Sequence, residues 1–328
     1  MAIDSTRKSS SWGIISAKIK QSFSSSLVIA SLIVLVIIFT IANPNFFTVN
    51  NWFNILQAVS VVGLLTIGQV FVIVTAGIDI SQGSIVGLVG VVSALLMGQH
   101  MPMWLAIVVG ILVGIAVGFV NGLLVAVAGI QPFITTLGTM SLASGFALII
   151  TNGQPIYTIP NSLSNFGSYG VFIFPYVTIT MIVLAVIAHF LLSKTTFGRY
   201  TYAIGSNMLS AKLSGLAVKR QLIMAYVISG LTSAIGGIIM IAWVSSALPT
   251  AGTNYELNSI ASVVIGGGSL FGGEGTIIGS LIGALLMSVL SNGSELLGVS
   301  SYWQSVLLGL VVLAAVYVDR FRQRASAK

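Results

Sequence analysis

Charge is scarce in this chain of 328 residues, since only 6% of them are Asp, Glu, Lys or Arg. A soluble domain carries roughly 25% charged residues, so the composition excludes a soluble globular protein. Cysteine is absent, which excludes a disulfide framework and any thiolate-bound metal. Hydrophobic residues make up 56% of the chain. The composition therefore predicts an all-α protein that crosses a membrane several times.

The basic residues fall into three short stretches, and none occurs in 21–193 or in 221–319. Basic residues that flank membrane spans mark the cytoplasmic side. The pattern predicts that both termini and the loop 194–220 are cytoplasmic. We attribute the net charge of +7 to orientation and to contact with anionic lipid headgroups, and not to nucleic acid.

Ten apolar stretches are candidate membrane spans, since crossing the hydrocarbon core takes about 20 helical residues. The stretch 256–268 is short and ends in three glycines, so a half-helix with re-entrant backbone is the alternative there. The first stretch partly resembles a signal peptide, but its polar lead is long, and we predict a retained span. The loop 245–255 is predicted to face outward. The spans are 24–42, 55–76, 80–98, 103–128, 133–151, 173–193, 221–244, 256–268, 276–297 and 302–319.

Glycines recur at every fourth position in two of these spans. They are Gly110, Gly114, Gly118 and Gly122 in one, and Gly275, Gly279 and Gly283 in the other. Small residues on one face let helix backbones approach closely in a membrane. We predict helix packing within one chain, and a subunit interface or sliding surface is the alternative.

Ionisable residues near the spans are few, and such groups are functional candidates by default. Asp79 and Ser81 precede the third span, and Glu256 opens the eighth, on its predicted outer side. Each is interpreted either as a helix cap or as part of a gate. His100 and His189 lack a second ligand at metal-binding spacing, so no metal site is predicted. No catalytic constellation or phosphate-binding motif is found, which argues against an enzyme.

The central loop contains a predicted short helix. Asn207 is suited to its N-cap, Ala211 and Leu213 lie inside it, and Gly215 is suited to its end, with Lys212 alongside. This segment is well placed to dock a partner. The alternative is a plain basic loop at the lipid headgroups.

Several stretches resemble one known family, the monosaccharide ABC-importer permeases, and are closest to its ribose-type members. The likeness runs from about residue 25 to residue 320. Two residues depart from the ribose-type pattern, Gln82 where Val is usual and Asn258 where Asp is usual. The stretches are TTFGRYTYAIGSN (195–207), AKLSGL (211–216), PTAGTNYEL (249–257), GGGSLFGGEG (266–275), AGIDISQGS (76–84), NPNFF (43–47) and LGVSSY (297–302).

The resemblance implies an ABC importer permease fold with a permease domain over 24–320, between cytoplasmic tails at 1–23 and 321–328. It implies a dimeric pore in a bacterial cytoplasmic membrane, without a cofactor. A separate ATPase chain would dock at the coupling helix 207–215, and an extracytoplasmic sugar-binding protein would deliver the ligand.

A conduit for a neutral sugar needs hydrogen-bonding groups without buried charge. The predicted path residues are Thr135, Thr139, Ser144, Asn258 and Ser262. The alternative is that these side chains bond to their own helix backbone. The rival function is an ion-coupled secondary carrier, and the near-absence of charge within the spans argues against it.

Overall fold

The computed structural model describes residues 28–326, with side chains through residue 321, so the predicted tail 1–23 lies outside the described residues. The regular secondary structure within that range is helical apart from one small hairpin and an isolated bridge between Ile156 and Ala247. The helices are α1 Val28–Ala42, α2 Val49–Val74, α3 Gln82–Gly98, α4 Met103–Ala126, α5 Pro132–Thr151, α6 Asn161–Ser168, α7 Tyr176–Lys194, α8 Thr196–Ser206, α9 Met208–Leu213, α10 Val218–Val244, α11 Tyr255–Ile265, α12 Ile277–Leu296 and α13 Ser301–Ser326.

Seven of the described helices are long and apolar enough to cross a membrane, while α3 and the described part of α1 are shorter. Nine of the ten predicted spans overlap these nine helices, and the tenth, 256–268, overlaps the shorter helix α11. The all-α prediction is confirmed, and the hairpin pairs strands of two residues each, β1 Gly170–Val171 and β2 Phe174–Pro175.

Helix α2 forms the centre of the bundle. It carries no charged residue and is buried along most of its length, because α7, α10, α11 and α12 pack around it. Leu64, Leu65 and Phe71 are fully buried there. A helix that is apolar all round belongs in the interior of a membrane protein.

The chain contains two stretches of four helices, α2–α5 and α10–α13. The first helix of each stretch packs against helices of the other stretch. Helix α10 runs along α4, while α2 runs along α12. Both pairs are antiparallel, as are α2 and α10, because rising numbers in one helix meet falling numbers in the other. This is the arrangement of an inverted repeat, which is common in membrane transporters.

The glycine rows lie where helices pack closely, on α4 against α3 and α10, and on α12 against α11 and its C-terminal end. A Cβ added at Gly114 would lie 2.5 Å from the Cβ of Ala234, and one at Gly122 would lie 2.7 Å from the Cα of Ile223. On α12, Gly279 and Gly283 face backbone carbonyls of Gly266 and Ser262. The prediction of packing within one chain is therefore confirmed for both rows.

Helix α11 is a half-helix. It has 11 residues, about 17 Å at 1.5 Å per residue, which is too short to cross a membrane. The preceding backbone enters the bundle, where a Cβ on Gly87 would lie 2.7 Å from the Pro249 carbonyl oxygen and Gly252 packs against Gly83. The second half of the loop 245–255 thus packs against the glycines of α3, and the side of the membrane that the loop faces stays a prediction.

Helix α3 also begins deep in the bundle. The amide of Gln82, its first residue, donates to the carbonyl oxygen of Leu65 at 3.0 Å. Leu65 lies nine residues before the last residue of α2, roughly 13 Å along the axis. Residues 75–81 therefore turn back into the bundle, and α3 and α11 start at a similar depth.

Candidate functional site

The first turns of the half-helices α3 and α11 meet inside the protein. The backbones of Gly83 and Gly252 touch, and the carboxyl group of Glu256 lies beside Gly83. The amino end of a helix carries a partial positive charge. Glu256, in the first turn of α11, is thus a carboxylate placed at the amino ends of two helices.

Asp79 lies beside this meeting point and is fully buried. Its Oδ1 accepts hydrogen bonds from the Ser81 backbone N–H at 3.0 Å and from the Ser81 hydroxyl at 2.6 Å. Its Oδ2 accepts from the Ser229 hydroxyl at 2.7 Å. A buried carboxylate is tolerated only when donors replace its hydration, and these three donors do so.

Gln82 connects Asp79 to three helices. Besides its bond to α2, its amide nitrogen donates to the Ser229 hydroxyl at 2.9 Å, and its oxygen accepts from the Ser259 hydroxyl at 2.7 Å. The side-chain amide of Gln69 has partners for both of its atoms in one orientation. Its nitrogen then donates to the Gln82 oxygen at 3.2 Å, and its oxygen accepts from the Asp79 N–H at 3.3 Å. Helices α2, α3, α10 and α11 are thereby joined.

The network extends to α4 and α5. Asn121 donates to the Ser81 hydroxyl at 2.9 Å, and Thr139 donates to the Asn121 oxygen at 2.7 Å. We call this set the polar junction, and all its members are buried. It consists of Gln69, Asp79, Ser81, Gln82, Asn121, Thr139, Ser229 and Ser259.

Three of the sequence-predicted residues come together in the polar junction, namely Asp79, Ser81 and Thr139. Ser81 stands at the N-cap of α3, but its side chain makes no capping bond to the first turn. Sequence reasoning did not select Gln69, Asn121 or Ser229, and it noted Gln82 only as a departure from the ribose-type pattern. Their one signal is an amide or hydroxyl side chain inside an uncharged apolar run.

The coupling segment, residues 207–215, consists of α9 and the residues at its two ends. Local hydrogen bonds fix its conformation. The side chain of Asn207 accepts from the Ser210 N–H at 2.9 Å. Gly215 has a φ of +82° and donates to the Lys212 carbonyl at 3.0 Å. Ala211 faces the protein, whereas Leu213 is 80% exposed. The short helix thus presents apolar surface on the outside of the fold.

Helix α8, which the sequence did not predict, anchors the coupling segment. The Tyr202 hydroxyl donates to the Gly275 carbonyl at 2.6 Å, and Gln221 donates to the Phe197 carbonyl at 2.7 Å. Gly205 packs against the carbonyl of Val74 at the end of α2. Displacement of α9 would therefore be passed to α2 and to the loop that follows α11.

That loop is also tied to α13 by Asp319, a further residue that sequence reasoning missed. Its Oδ2 accepts from the Leu270 N–H at 3.0 Å and from the Ser269 hydroxyl at 3.2 Å. Asp319 is buried although it belongs to an otherwise largely exposed helix. The pairing explains why a carboxylate is found there.

The predicted path residues lie in different environments. The Ser262 hydroxyl donates to its own helix, at the Asn258 carbonyl, at 2.6 Å. The Thr135 hydroxyl is buried without a hydrogen-bond partner. Ser144 and Asn258 are partly exposed. Across the described residues, no group of three His, Cys, Asp or Glu is placed to hold a metal ion.

Comparison with known families agrees with this architecture. Residues 51–316 match the family described as branched-chain amino acid transport system, permease component. The chain belongs to this family. It is therefore a multi-pass membrane permease component of an ABC transporter and not a catalytic subunit.

Curated relatives cover most of the chain. The ribose import permease protein of Escherichia coli (strain K12) is 43% identical over 89% of this chain and 92% of its own. That of Bacillus subtilis (strain 168) is 46% identical over 88% and 90%. The D-allose transport system permease protein of E. coli (strain K12) is 38% identical over 88% and 89%. No solved structure matches.

Proposed function

We propose that this chain is the membrane subunit of an ATP-driven importer of ribose or a related monosaccharide. The observation that carries the proposal is the 43–46% identity to ribose import permeases over nearly the whole chain. The family description names amino acids, but the similar relatives cited above are named for sugars. The subunit works in a bacterial cytoplasmic membrane with both termini inside.

The partners in this proposal are a second copy of the permease, an ABC ATPase and an extracytoplasmic sugar-binding protein. The ATPase docks on the coupling segment through Asn207, Ala211, Lys212, Leu213 and Gly215. Support comes from the exposed apolar side of α9 and from the anchoring of α8 against α2. ATP-driven motion of α9 would then reach both half-helices.

The function is tested by reconstituting the chain with a sugar-binding protein and an ATPase encoded beside it. Uptake of radiolabelled ribose should require all three components and ATP. Uptake by the chain alone, driven by a sodium or proton gradient, would instead establish the secondary carrier. Against the carrier stands Asp79, whose two oxygens are already engaged by Ser81 and Ser229.

Docking is tested with Gly215→Pro. Proline cannot adopt the φ of +82° found at this position. The variant should remain inserted but lose association with the ATPase. The matched control is Gly298→Pro, because Gly298 ends α12 with a φ of +75° and a similar pair of bonds. ATPase association that survives Gly215→Pro would remove the proposed docking role.

We retain Thr135, Thr139, Ser144, Asn258 and Ser262 as the proposed path residues. Ser144 and Asn258 are partly exposed and give the sharpest test. Ser144→Trp and Asn258→Trp should block sugar flux while the assembled complex still hydrolyses ATP. Thr139 and Ser262 are less suitable, since their hydroxyls already bond within the chain. Normal flux in both variants would place the path elsewhere.

A further inference from the structure

A cavity of 780 Å³ opens at the end of the bundle that carries the residues 194–220. Its walls come from the link between α9 and α10, from the turn 129–132 between α4 and α5, and from residues 75–77 after α2. This size lies within the usual range of roughly 300–1,000 Å³ for a small-molecule site. None of the polar junction residues lines the cavity, although Gly77 in its wall lies two residues before Asp79.

The walls are apolar but the rim is basic. Val125, Ile130 and Leu222 contribute aliphatic surface, whereas Lys219 and Arg220 are exposed and contribute charge together with Lys212. Among the described residues that line the cavity there is no carboxylate. The stretch 80–255 of the sequence contains no Asp or Glu, and the nearest acid before it, Asp79, is already bonded to Ser81 and Ser229.

Two further features point to an anionic ligand. Helix α10 begins at Val218 without a side-chain cap, so its positive amino end faces this region. Tyr226 also lines the cavity, is fully buried, and has a hydroxyl without a hydrogen-bond partner. That hydroxyl lies 2.8 Å from where a Cβ of Gly77, another lining residue, would stand. An unsatisfied buried hydroxyl calls for a partner.

We propose that this cavity binds an anionic phospholipid, with the phosphate held by Lys219, Arg220 and the start of α10. The acyl chain would lie along Val125, Ile130 and Leu222. Charge complementarity and the apolar walls favour this occupant, since basic cavities between membrane helices bind lipid headgroups. A bound lipid would bridge the coupling segment and the turn that begins α5.

The test uses the full-length chain in detergent, titrated with phosphatidylglycerol and followed by native mass spectrometry. One phosphatidylglycerol should be retained, and phosphatidylcholine should not. The double variant Lys219→Gln, Arg220→Gln should weaken retention roughly 30-fold. The matched control, Lys194→Gln with Arg199→Gln, removes two exposed charges from the same loop that do not line the cavity, and retention should be unchanged.

A second variant tests whether the lipid binds inside the cavity or only to the surface charges. Ala217 is exposed at the cavity rim, so Ala217→Trp should displace the lipid without altering charge or core packing. The site would be overturned if Ala217→Trp retained as much lipid as the unchanged chain, or if both double variants lost lipid retention equally. Displacement of the lipid by inorganic phosphate at the same concentration would show a soluble phosphate ligand instead. The readout is lipid retention, so it is independent of the transport proposal.

Discussion

The polar junction and the coupling segment differ in where their bonding partners are found. Every member of the junction is buried and bonded within the chain. In the coupling segment, by contrast, Leu209 and Leu213 are 67% and 80% exposed. The junction is complete in a single chain, whereas the coupling segment lacks a partner for its apolar side. Damage to the first should therefore appear as lost stability, and damage to the second as lost function.

The largest effect on stability is expected for Asp79→Ala. The change leaves three donors without an acceptor, those of Ser81 and Ser229. We expect the free energy of unfolding to fall by roughly 3 kcal/mol, measured by denaturant titration of the purified chain in detergent. Asp79→Asn, which keeps one acceptor oxygen, should lose less. An unchanged unfolding curve for Asp79→Ala would contradict the role of the junction.

A smaller loss is expected where the two stretches of four helices meet. In Gly118→Ala the new methyl group would run into the Tyr226 carbonyl and lie 3.1 Å from the Cα of Gly230. The expected loss is roughly 1–3 kcal/mol in the same titration. The matched control is Gly145→Ala, because nothing lies within 4 Å of a Cβ at Gly145. Equal stability of the two variants would refute close packing of α4 on α10.

Gln82→Val tests how much a second member of the polar junction contributes to stability. It introduces the residue usual in the ribose-type pattern, but it removes the hydrogen bonds that Gln82 makes with Ser259 and with the Leu65 carbonyl, while Ser259 keeps its bond to the Glu256 carbonyl. We expect a loss of about 1–2 kcal/mol, less than for Asp79→Ala because Ser229 keeps its bond to Asp79. Gln57→Leu is the control, since it removes a single buried bond at 2.7 Å. A gain of stability in Gln82→Val would show that the hydrogen bonds do not hold the half-helices.

The smallest effect on stability is expected for Leu213→Ser, because the side chain is already 80% exposed. The unfolding curve should not move, while ATP-dependent ribose uptake in the reconstituted complex should fall at least tenfold, a factor that corresponds to about 1.4 kcal/mol of docking energy. Leu297→Ser is the control, since Leu297 is exposed at the opposite end of the bundle, after α12. Full uptake by Leu213→Ser would argue against docking on this side of α9.

Features set by neighbouring residues were predictable from the sequence. The caps of α9 follow from Asn207 and Gly215, and the glycine rows follow from their spacing, because each acts within a turn or two of helix. The helix spans follow from the apolar runs. The half-helix α11 was recognised as an alternative from its short length and from the three glycines that follow it.

The polar junction was not predictable, because its bonds join distant parts of the chain. Asp79 and Ser229 are 150 residues apart, and Gln82 and Ser259 are 177 apart. One sequence contains nothing that pairs these positions. Helix α8 was missed because the bonds that hold it, from Tyr202 to Gly275 and from Gln221 to Phe197, also join separate parts of the chain.

The half-helices also constrain how the chain is made. A translocon inserts segments by their apolar length, and the 11 residues of α11 are too few to be inserted as a span. Helix α3 is synthesised long before Ser229 and Ser259, which follow Asp79 and Gln82 by 150 and 177 residues. A nascent chain stopped before α10 would therefore hold the Asp79 carboxylate with its Ser81 donors but without Ser229, an arrangement open to recognition by membrane quality-control proteases.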